Sequence, residues 1–142
     1  MTDKTRTEEP IHSAKVQLEN AALVRSLLED GHQRSPEYYQ RYFHPKARIW
    51  ADSRPSADNP VVWENDQVFI GPEGMKRMSE AYANRGYTYK IVVHDIYACG
   101  PVVVVNRTDI RKEAGKPDWP IPATGVFALK DGKIIEWSDY FR

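Results

Sequence analysis

Residues 87–141 read YTYKIVVHDIYACGPVVVVNRTDIRKEAGKPDWPIPATGVFALKDGKIIEWSDYF, and this stretch decides the fold. It holds four runs that are rich in valine, isoleucine and aromatic residues, which favour strands. The turn sequences Cys-Gly-Pro, Glu-Ala-Gly-Lys and Lys-Asp-Gly-Lys separate the runs, and connections this short join neighbouring antiparallel strands. The stretch therefore predicts an antiparallel meander whose strands cover 87–98, 102–112, 120–129 and 134–141.

The chain before residue 87 carries three helical patterns. Ser13 can cap a helix that ends near Gly31, Ser35 and Pro36 can begin a short second helix, and Gly71 precedes a third. The apolar residues at helical spacing are Leu18, Ala21, Val24, Leu27 and Leu28 in the first helix and Met75, Met78 and Tyr82 in the third. We expect the first two helices to pair. A strand is predicted at 47–52, and a shorter one within 61–70.

Helices followed by strands are typical of an α+β fold and not of a doubly wound α/β domain. We expect a cone-shaped, curved antiparallel or mixed sheet, with the three helices of the N-terminal half packed on its concave face. Such an arrangement encloses a pocket at its open end. Residues 1–12 have little apolar content and are expected to form a flexible tail before a single domain at 13–142.

Composition narrows the choice of partners and compartment. The chain of 142 residues has 20 basic and 20 acidic side chains, so it has no broad positive field for nucleic acid or an anionic membrane. No apolar run is long enough to span a bilayer, and the polar N-terminus lacks a signal-peptide pattern. The single cysteine, Cys99, cannot form an internal disulfide. We therefore expect a cytoplasmic protein that binds neither nucleic acid nor membranes.

Charged residues interrupt the apolar face of two predicted strands. Residues two apart on a strand point the same way, so Arg107 and Asp109 follow Val103 and Val105 on one face. In the last strand the corresponding set is Ile135, Trp137, Asp139 and Phe141. A carboxylate among apolar side chains is costly unless it is paired or hydrogen-bonded. Periodicity thus predicts that Arg107, Asp109 and Asp139 meet at the bottom of the pocket.

Two interpretations of these charges remain open. An arginine and an aspartate can form a structural ion pair that fastens two strands. One arginine needs only one carboxylate for neutrality, however, and a second carboxylate allows one acid to be protonated while the other is ionised. That division is what general acid–base catalysis requires.

Residues 125–141, GVFALKDGKIIEWSDYF, and the segment Asn106-Arg-Thr-Asp109 resemble sequences of the limonene-1,2-epoxide hydrolases. These enzymes belong to the nuclear-transport-factor-2-like superfamily, together with ketosteroid isomerases and SnoaL-like polyketide cyclases. The resemblance covers roughly residues 14–141 and implies the same fold.

Carried over residue by residue, the resemblance implies that Asp109 protonates the oxygen of an epoxide and that Asp139 activates water. Arg107 would bridge the two carboxylates. The implied reaction is the hydration of a small apolar epoxide in one step, without a covalent enzyme intermediate, a metal or a cofactor. The resemblance also implies a small hydrophobic substrate and a homodimer formed through the sheet.

The first strand departs from the family pattern. Trp50 and Asp52 stand where the family positions its water with a tyrosine and an asparagine. Tryptophan only donates a hydrogen bond, and Asp52 adds a third carboxylate. The residues expected to bind substrate or water are Trp50, Asp52, Tyr82, Phe127 and Trp137.

Three alternatives stay open beside the hydrolase. A ketosteroid-isomerase-like enzyme, a dehydratase or a polyketide cyclase would act on a hydrophobic carbonyl compound, with Asp52 as a proton-shuttling base. His94 could pair with a carboxylate as in dehydratases, or form an ordinary hydrogen bond. The third alternative is a non-catalytic binding or dimerising module. The other histidines lie apart, so no metal site is expected.

Overall fold

The computed structural model describes residues 12–30, 34–51 and 68–141. The helices of this part are α1 (Ala14–Asp30), α2 (Pro36–Tyr39) and α3 (Gly71–Asn84). Its strands are β1 (Phe43–Ala51), β2 (Val68–Ile70), β3 (Thr88–Cys99), β4 (Val102–Lys112), β5 (Trp119–Lys130) and β6 (Lys133–Phe141). The expected tail before residue 12, and the loop and Asp52 between the first two strands, lie outside the described residues.

The strands form one mixed, open sheet in the order β2-β1-β6-β5-β4-β3. Strands β3 to β6 make the predicted antiparallel meander. Strand β1 pairs with β2 antiparallel and with β6 parallel. The α+β architecture predicted from the sequence is confirmed. The parallel pairing brings the end of the first strand beside Asp139, because Ala51 and Asp139 are Cα partners.

The helices cover one side of the sheet, which we call the inner face. Helix α1 packs against β3 and β4, and α3 packs against β1 and β2. The core between them includes the fully buried side chains of Val24, Tyr39, Phe43, Val105 and Phe127. Burial of each such side chain contributes roughly 1.5–3 kcal/mol to folding. The apolar half of β4 thus forms part of the core, and its charged half lies further along the same face of the sheet.

Serine side chains cap the first two helices, as the sequence predicts. Ser13 Oγ accepts a hydrogen bond from the Val16 amide at 3.2 Å, and Ser35 Oγ accepts one from the Tyr38 amide at 3.3 Å. The expected pairing of α1 with α2 is wrong, because α2 packs mainly against α3. The hydroxyls of Tyr39 and Ser79 lie 3.3 Å apart at this contact.

Two expected core positions also change. Leu18 is 72% exposed, because the buried stripe of α1 runs through Asn20, Val24, Leu27 and Leu28. In β6 the register with β5 shifts between Ala128 and Leu129, so Ile134 is buried in place of Ile135. Irregular pairing of this kind changes which side chains face inward. The alternating pattern resumes at Trp137.

None of the helices described here is long and apolar enough to cross a lipid bilayer. Two tyrosines, Tyr97 and Tyr140, are more than half exposed. The homodimer through the sheet stays a prediction.

Candidate active site

The inner face of β4 changes from apolar to charged along its length. Val103, Val105, Arg107, Asp109 and Arg111 are all buried, and the residues between them are less so. Arg107 is only 2% exposed. A guanidinium at such a depth is tolerated only where carboxylates neutralise it and accept its hydrogen bonds.

Two carboxylates hold the guanidinium of Arg107, each through two hydrogen bonds. Towards Asp109, Nε donates to Oδ1 at 2.8 Å and Nη2 donates to Oδ2 at 3.1 Å. Towards Asp139, Nη1 donates to Oδ1 at 2.9 Å and Nη2 donates to Oδ2 at 2.8 Å. Bidentate pairs of this kind fix orientation as well as charge. The structure therefore brings together the three residues that periodicity selected, and we call them the Asp-Arg-Asp cluster.

Gly125 makes room for the cluster. Strand β5 lies between β4 and β6, and Gly125 is the Cα partner of Asp139. A Cβ atom at this position would lie 2.7 Å from Arg107 Nη1, 2.9 Å from Phe127 Cε2 and 3.0 Å from Asp139 Oδ1. The sequence analysis did not identify Gly125, although a glycine inside a strand signals the close approach of another group.

We expect the Gly125→Ala variant to lose roughly 1–3 kcal/mol of stability, because the added methyl group overpacks a full interior. Any catalytic activity that depends on the cluster should fall as well, since the methyl group would push Arg107 away from Asp139. Urea denaturation and steady-state kinetics measure the two effects. The matched control is Val126→Ile on the other face of the same strand. Equal effects of the two substitutions would contradict the tight fit at Gly125.

Trp137 orients the second carboxylate. Its Nε1 donates a 2.7 Å hydrogen bond to Asp139 Oδ1. Its ring stacks on Phe127 at 4.9 Å and on Phe43 at 6.2 Å between ring centres. Phe127 and Trp137 were both expected in contact with substrate or water. Both are buried: Trp137 is hydrogen-bonded to Asp139, and Phe127 packs on the Trp137 ring. Their contact with substrate or water stays a prediction.

The charge on Arg107 is fixed. Burial alone disfavours the cation, but the carboxylates of Asp139 and Asp109 outweigh it and raise the pKa of Arg107. The guanidinium therefore does not exchange protons near neutral pH, and proton transfer in the cluster falls to the two carboxyl groups. With both carboxylates ionised the cluster has a net charge of −1, so a single proton makes it neutral.

A second group of polar side chains lies beyond Asp109. Tyr82 on α3 packs edge-on against Tyr89 of β3, with 5.3 Å between ring centres. Tyr89 is the Cα partner of Arg111. The structure thus places Tyr82 near the charged end of β4. Tyr89 and Arg111 were not singled out from the sequence, although Arg111 continues the period-two pattern of β4.

The family model of the SnoaL-like domain, a description of the sequences of that family, matches residues 24–137 of this chain. The chain belongs to the SnoaL-like family. The comparison with curated protein sequences gives no significant match.

Solved structures with the same fold belong to proteins that are described with several different activities. An epoxide hydrolase from M. tuberculosis, described as similar to limonene epoxide hydrolase, is 18% identical and has a TM-score of 0.65; the match covers 89% of this chain and 84% of that one. A protein from Jannaschia sp. CCS1 assigned as a SnoaL-like polyketide cyclase is 20% identical, with a TM-score of 0.64 and coverage of 96% and 90%. A Catenulispora acidiphila protein with a ketosteroid-isomerase-like fold is 12% identical, with a TM-score of 0.65 and coverage of 83% of each chain. At these identities the likeness shows the fold alone.

The structure does not bring Trp50 to the cluster. Ile49 is buried on the inner face, and Trp50 lies on the opposite face beside the exposed Arg48, whose guanidinium is 4.7 Å from the Trp50 ring centre. Trp50 is the Cα partner of Ser138, one residue away from Asp139. In this member of the SnoaL-like family Trp50 is thus directed away from the cluster, and its expected role in binding water stays a prediction. Asp52 lies outside the described residues.

His94 forms an ordinary hydrogen bond. Its Nε2 lies 2.7 Å from Thr108 Oγ1, away from the carboxylates of the Asp-Arg-Asp cluster. Within residues 12–30, 34–51 and 68–141, no three histidine, cysteine or acidic side chains are grouped as metal ligands.

Proposed function

We propose that this SnoaL-like protein is a cofactor-independent hydrolase that adds water to a small, largely apolar epoxide. The observation that carries the proposal is the bidentate binding of one guanidinium by two carboxylates. This arrangement keeps two acids close together in one buried site, where a single proton makes the cluster neutral. The similarity to an M. tuberculosis epoxide hydrolase supports the proposal.

The two acids take different roles. Asp139, ionised, accepts a proton from water while the water oxygen forms a bond to one ring carbon. The bond between that carbon and the epoxide oxygen breaks, and the oxygen takes the proton of Asp109. Arg107 holds both carboxyl groups throughout, and Trp137 fixes the direction of Asp139. After the reaction Asp139 is protonated and Asp109 is ionised, so solvent must remove one proton and supply another.

The position of Trp50 favours a second candidate function. A hydrolase has to position its water, but Ile49 faces the inner side of β1 and Trp50 faces away from it. An isomerase or cyclase acting on a hydrophobic carbonyl compound needs no such water. In that reaction Asp139 would remove a proton from carbon, and Asp109 would donate a hydrogen bond to the carbonyl oxygen.

A single-turnover experiment in oxygen-18 water tests the hydrolase. Enzyme in excess is mixed with a panel of cyclic and acyclic epoxides, and the diol is analysed by mass spectrometry. Direct attack by water places oxygen-18 in the diol in the first turnover. A covalent ester with a carboxylate would instead give a first diol that carries oxygen-16 from the protein.

A parallel measurement tests the second candidate. Cyclic ketones are incubated with the protein in deuterium oxide, and loss of the α-proton signal is followed by NMR. Exchange of α-protons together with no diol from any epoxide would contradict the hydrolase and support the isomerase or cyclase. Diol formation without exchange would support the hydrolase.

A further inference from the structure

Trp119 is an exposed aromatic side chain on the inner face of the sheet. It is 45% exposed, and it is the Cα partner of Arg111, which is buried on that face. Residues directly opposite each other in an antiparallel pair point to the same side of the sheet. Tyr97 and Tyr140 are also exposed, but their positions in β3 and β6 direct them to the opposite face. An indole that lies on the inner face and still meets solvent is therefore a candidate contact for a ligand.

The register places Trp119 one inward position away from Asp109. Ile121, two residues after Trp119 on β5, is the Cα partner of Asp109. Two residues of a strand span about 6.6 Å, which is comparable with the width of a six-membered ring. On the other side of β4, Tyr89 is the second Cα partner of Arg111. Trp119 and Tyr89 therefore flank β4 at the level that follows Asp109.

Two contacts hold the segment around Trp119 in place. The guanidinium carbon of Arg111 lies 5.9 Å from the ring centre of Trp119 and 4.5 Å from that of Tyr87. A cation over the face of an aromatic ring is attracted by the electrons of the ring. The ion pair between Lys112 Nζ and Asp118 Oδ2, 2.8 Å long, joins the end of β4 to the residue just before Trp119. These contacts orient the indole without a ligand, so a ligand that binds to it has little left to order.

Two tyrosines add aromatic rings on the β3 side. Tyr82 of α3 packs edge-on against Tyr89, with 5.3 Å between ring centres. Both side chains are partly buried, so solvent reaches part of each. Aromatic rings gain from offset or edge-on contact with one another, beyond the burial of apolar area. A ligand with an aromatic ring would make such contacts with Trp119 and the two tyrosines, and a ligand with a saturated ring would not.

We propose that Trp119, Tyr82 and Tyr89 form an aromatic element next to Asp109 that binds an aryl group, so that the substrate is an epoxide with an aryl substituent. This inference rests on the proposed function, which places the epoxide oxygen at Asp109. An aryl group on the epoxide carbon then lies against the aromatic element, one inward position along the sheet. The three rings determine specificity, and the bonds of the epoxide are broken at the Asp-Arg-Asp cluster.

Calorimetric titration with two diols of similar shape tests the aromatic element. The diols are 1-phenyl-1,2-ethanediol and 1-cyclohexyl-1,2-ethanediol, which differ in the ring alone. The saturated ring has the larger apolar area, so burial by itself favours the cyclohexyl diol. The wild-type protein should instead bind the phenyl diol about 5-fold to 10-fold more tightly, as expected for contacts between aromatic rings.

Substitutions of Trp119 assign this preference to the indole. Trp119→Leu should reduce the preference to within about 2-fold, because leucine keeps apolar burial and has no aromatic ring. Its affinity for the cyclohexyl diol should stay within about 3-fold of the wild type. Trp119→Phe should retain most of the preference, because phenylalanine keeps an aromatic ring at the same position.

The control is Tyr140→Leu, which removes an exposed aromatic ring from the opposite face of the same sheet. It should leave the preference for the phenyl diol unchanged. Equal binding of the two diols by the wild type, tighter binding of the cyclohexyl diol, or no binding of either would overturn the inference. Equal effects of Trp119→Leu and Tyr140→Leu would overturn it too.

Turnover separates this inference from the proposed function. Styrene oxide and vinylcyclohexane oxide differ in intrinsic reactivity, so the ratio of their kcat/KM values is compared between variants. The ratio of phenyl to cyclohexyl should fall about 5-fold or more in Trp119→Leu and stay constant in Tyr140→Leu. Hydration of both epoxides with the same ratio in Trp119→Leu as in the wild type would remove the inference and keep the hydrolase. Preferential binding of the phenyl diol without hydration of any epoxide would remove the hydrolase and keep the aromatic element.

Discussion

Replacing Arg107 by methionine should lower the free energy of unfolding by roughly 3–5 kcal/mol, the cost of removing one partner from a buried ion pair. Methionine fills much of the space of the arginine stem, so the loss reports mainly on charge. Asp109 and Asp139 would remain buried without the four hydrogen bonds that they now accept from Arg107.

Urea denaturation measures this loss. The control is Arg48→Met, which replaces an exposed arginine and should cost less than about 1 kcal/mol. A triple variant with Arg107→Met, Asp109→Leu and Asp139→Leu should regain most of the stability, because apolar groups can replace a buried ion cluster at little cost. A loss below about 1 kcal/mol in Arg107→Met would show that the cluster does not depend on the guanidinium.

Asp139→Asn and Asp109→Asn should each reduce kcat for epoxide hydration by about 100-fold to 10,000-fold, the usual contribution of a general acid or base. Asparagine keeps the shape of aspartate, but its amide group acts neither as an acid nor as a base near neutral pH. In the proposed mechanism, Asp139→Asn removes the group that accepts the proton of water. In the same mechanism, Asp109→Asn removes the group that protonates the epoxide oxygen.

Ligand binding distinguishes a chemical role from a structural one. Both variants should bind a non-reactive diol with an affinity within about 5-fold of the wild type, because the loss lies in the reaction and not in the recognition of the ligand. The control is Asp95→Asn, which alters an exposed carboxylate on β3 and should leave kcat unchanged. More than a tenth of the wild-type kcat in either cluster variant would contradict the assignment of that residue as acid or base.

The triple variant and the two asparagine variants together separate the two interpretations that the sequence leaves open. A purely structural ion pair predicts that the asparagine variants lose stability and keep their activity. A catalytic cluster predicts that stability returns and activity does not. The depth of Arg107 and the two bidentate contacts make the second outcome the expected one, because such a cluster is expensive to bury.

Most boundaries of the elements follow from the sequence, although β1 begins at Phe43 and not at the predicted residue 47. The cap at Ser13, the glycine and proline that begin α3 and the three short turns predict helices and strands that the structure contains. These features depend on neighbours in the chain, such as a hydroxyl three residues before an amide or a glycine in a turn. Long-range register does not enter such predictions.

The sequence by itself determined the order of elements, the α+β class and the choice of Arg107, Asp109 and Asp139, because a period of two fixes which residues of one strand share a face. Only the tertiary structure decided how β1 and β2 join the sheet and which residues of neighbouring strands lie opposite each other. The parallel pairing of β1 with β6 turns Ile49 inward and Trp50 outward. Strand β5 lies between β4 and β6, and its register places Gly125 next to the side chains of Arg107 and Asp139. The pairing of strands that lie far apart in the chain depends on packing across the whole sheet. The pattern within one strand shows which residues share a face, but it does not show which strand lies beside it.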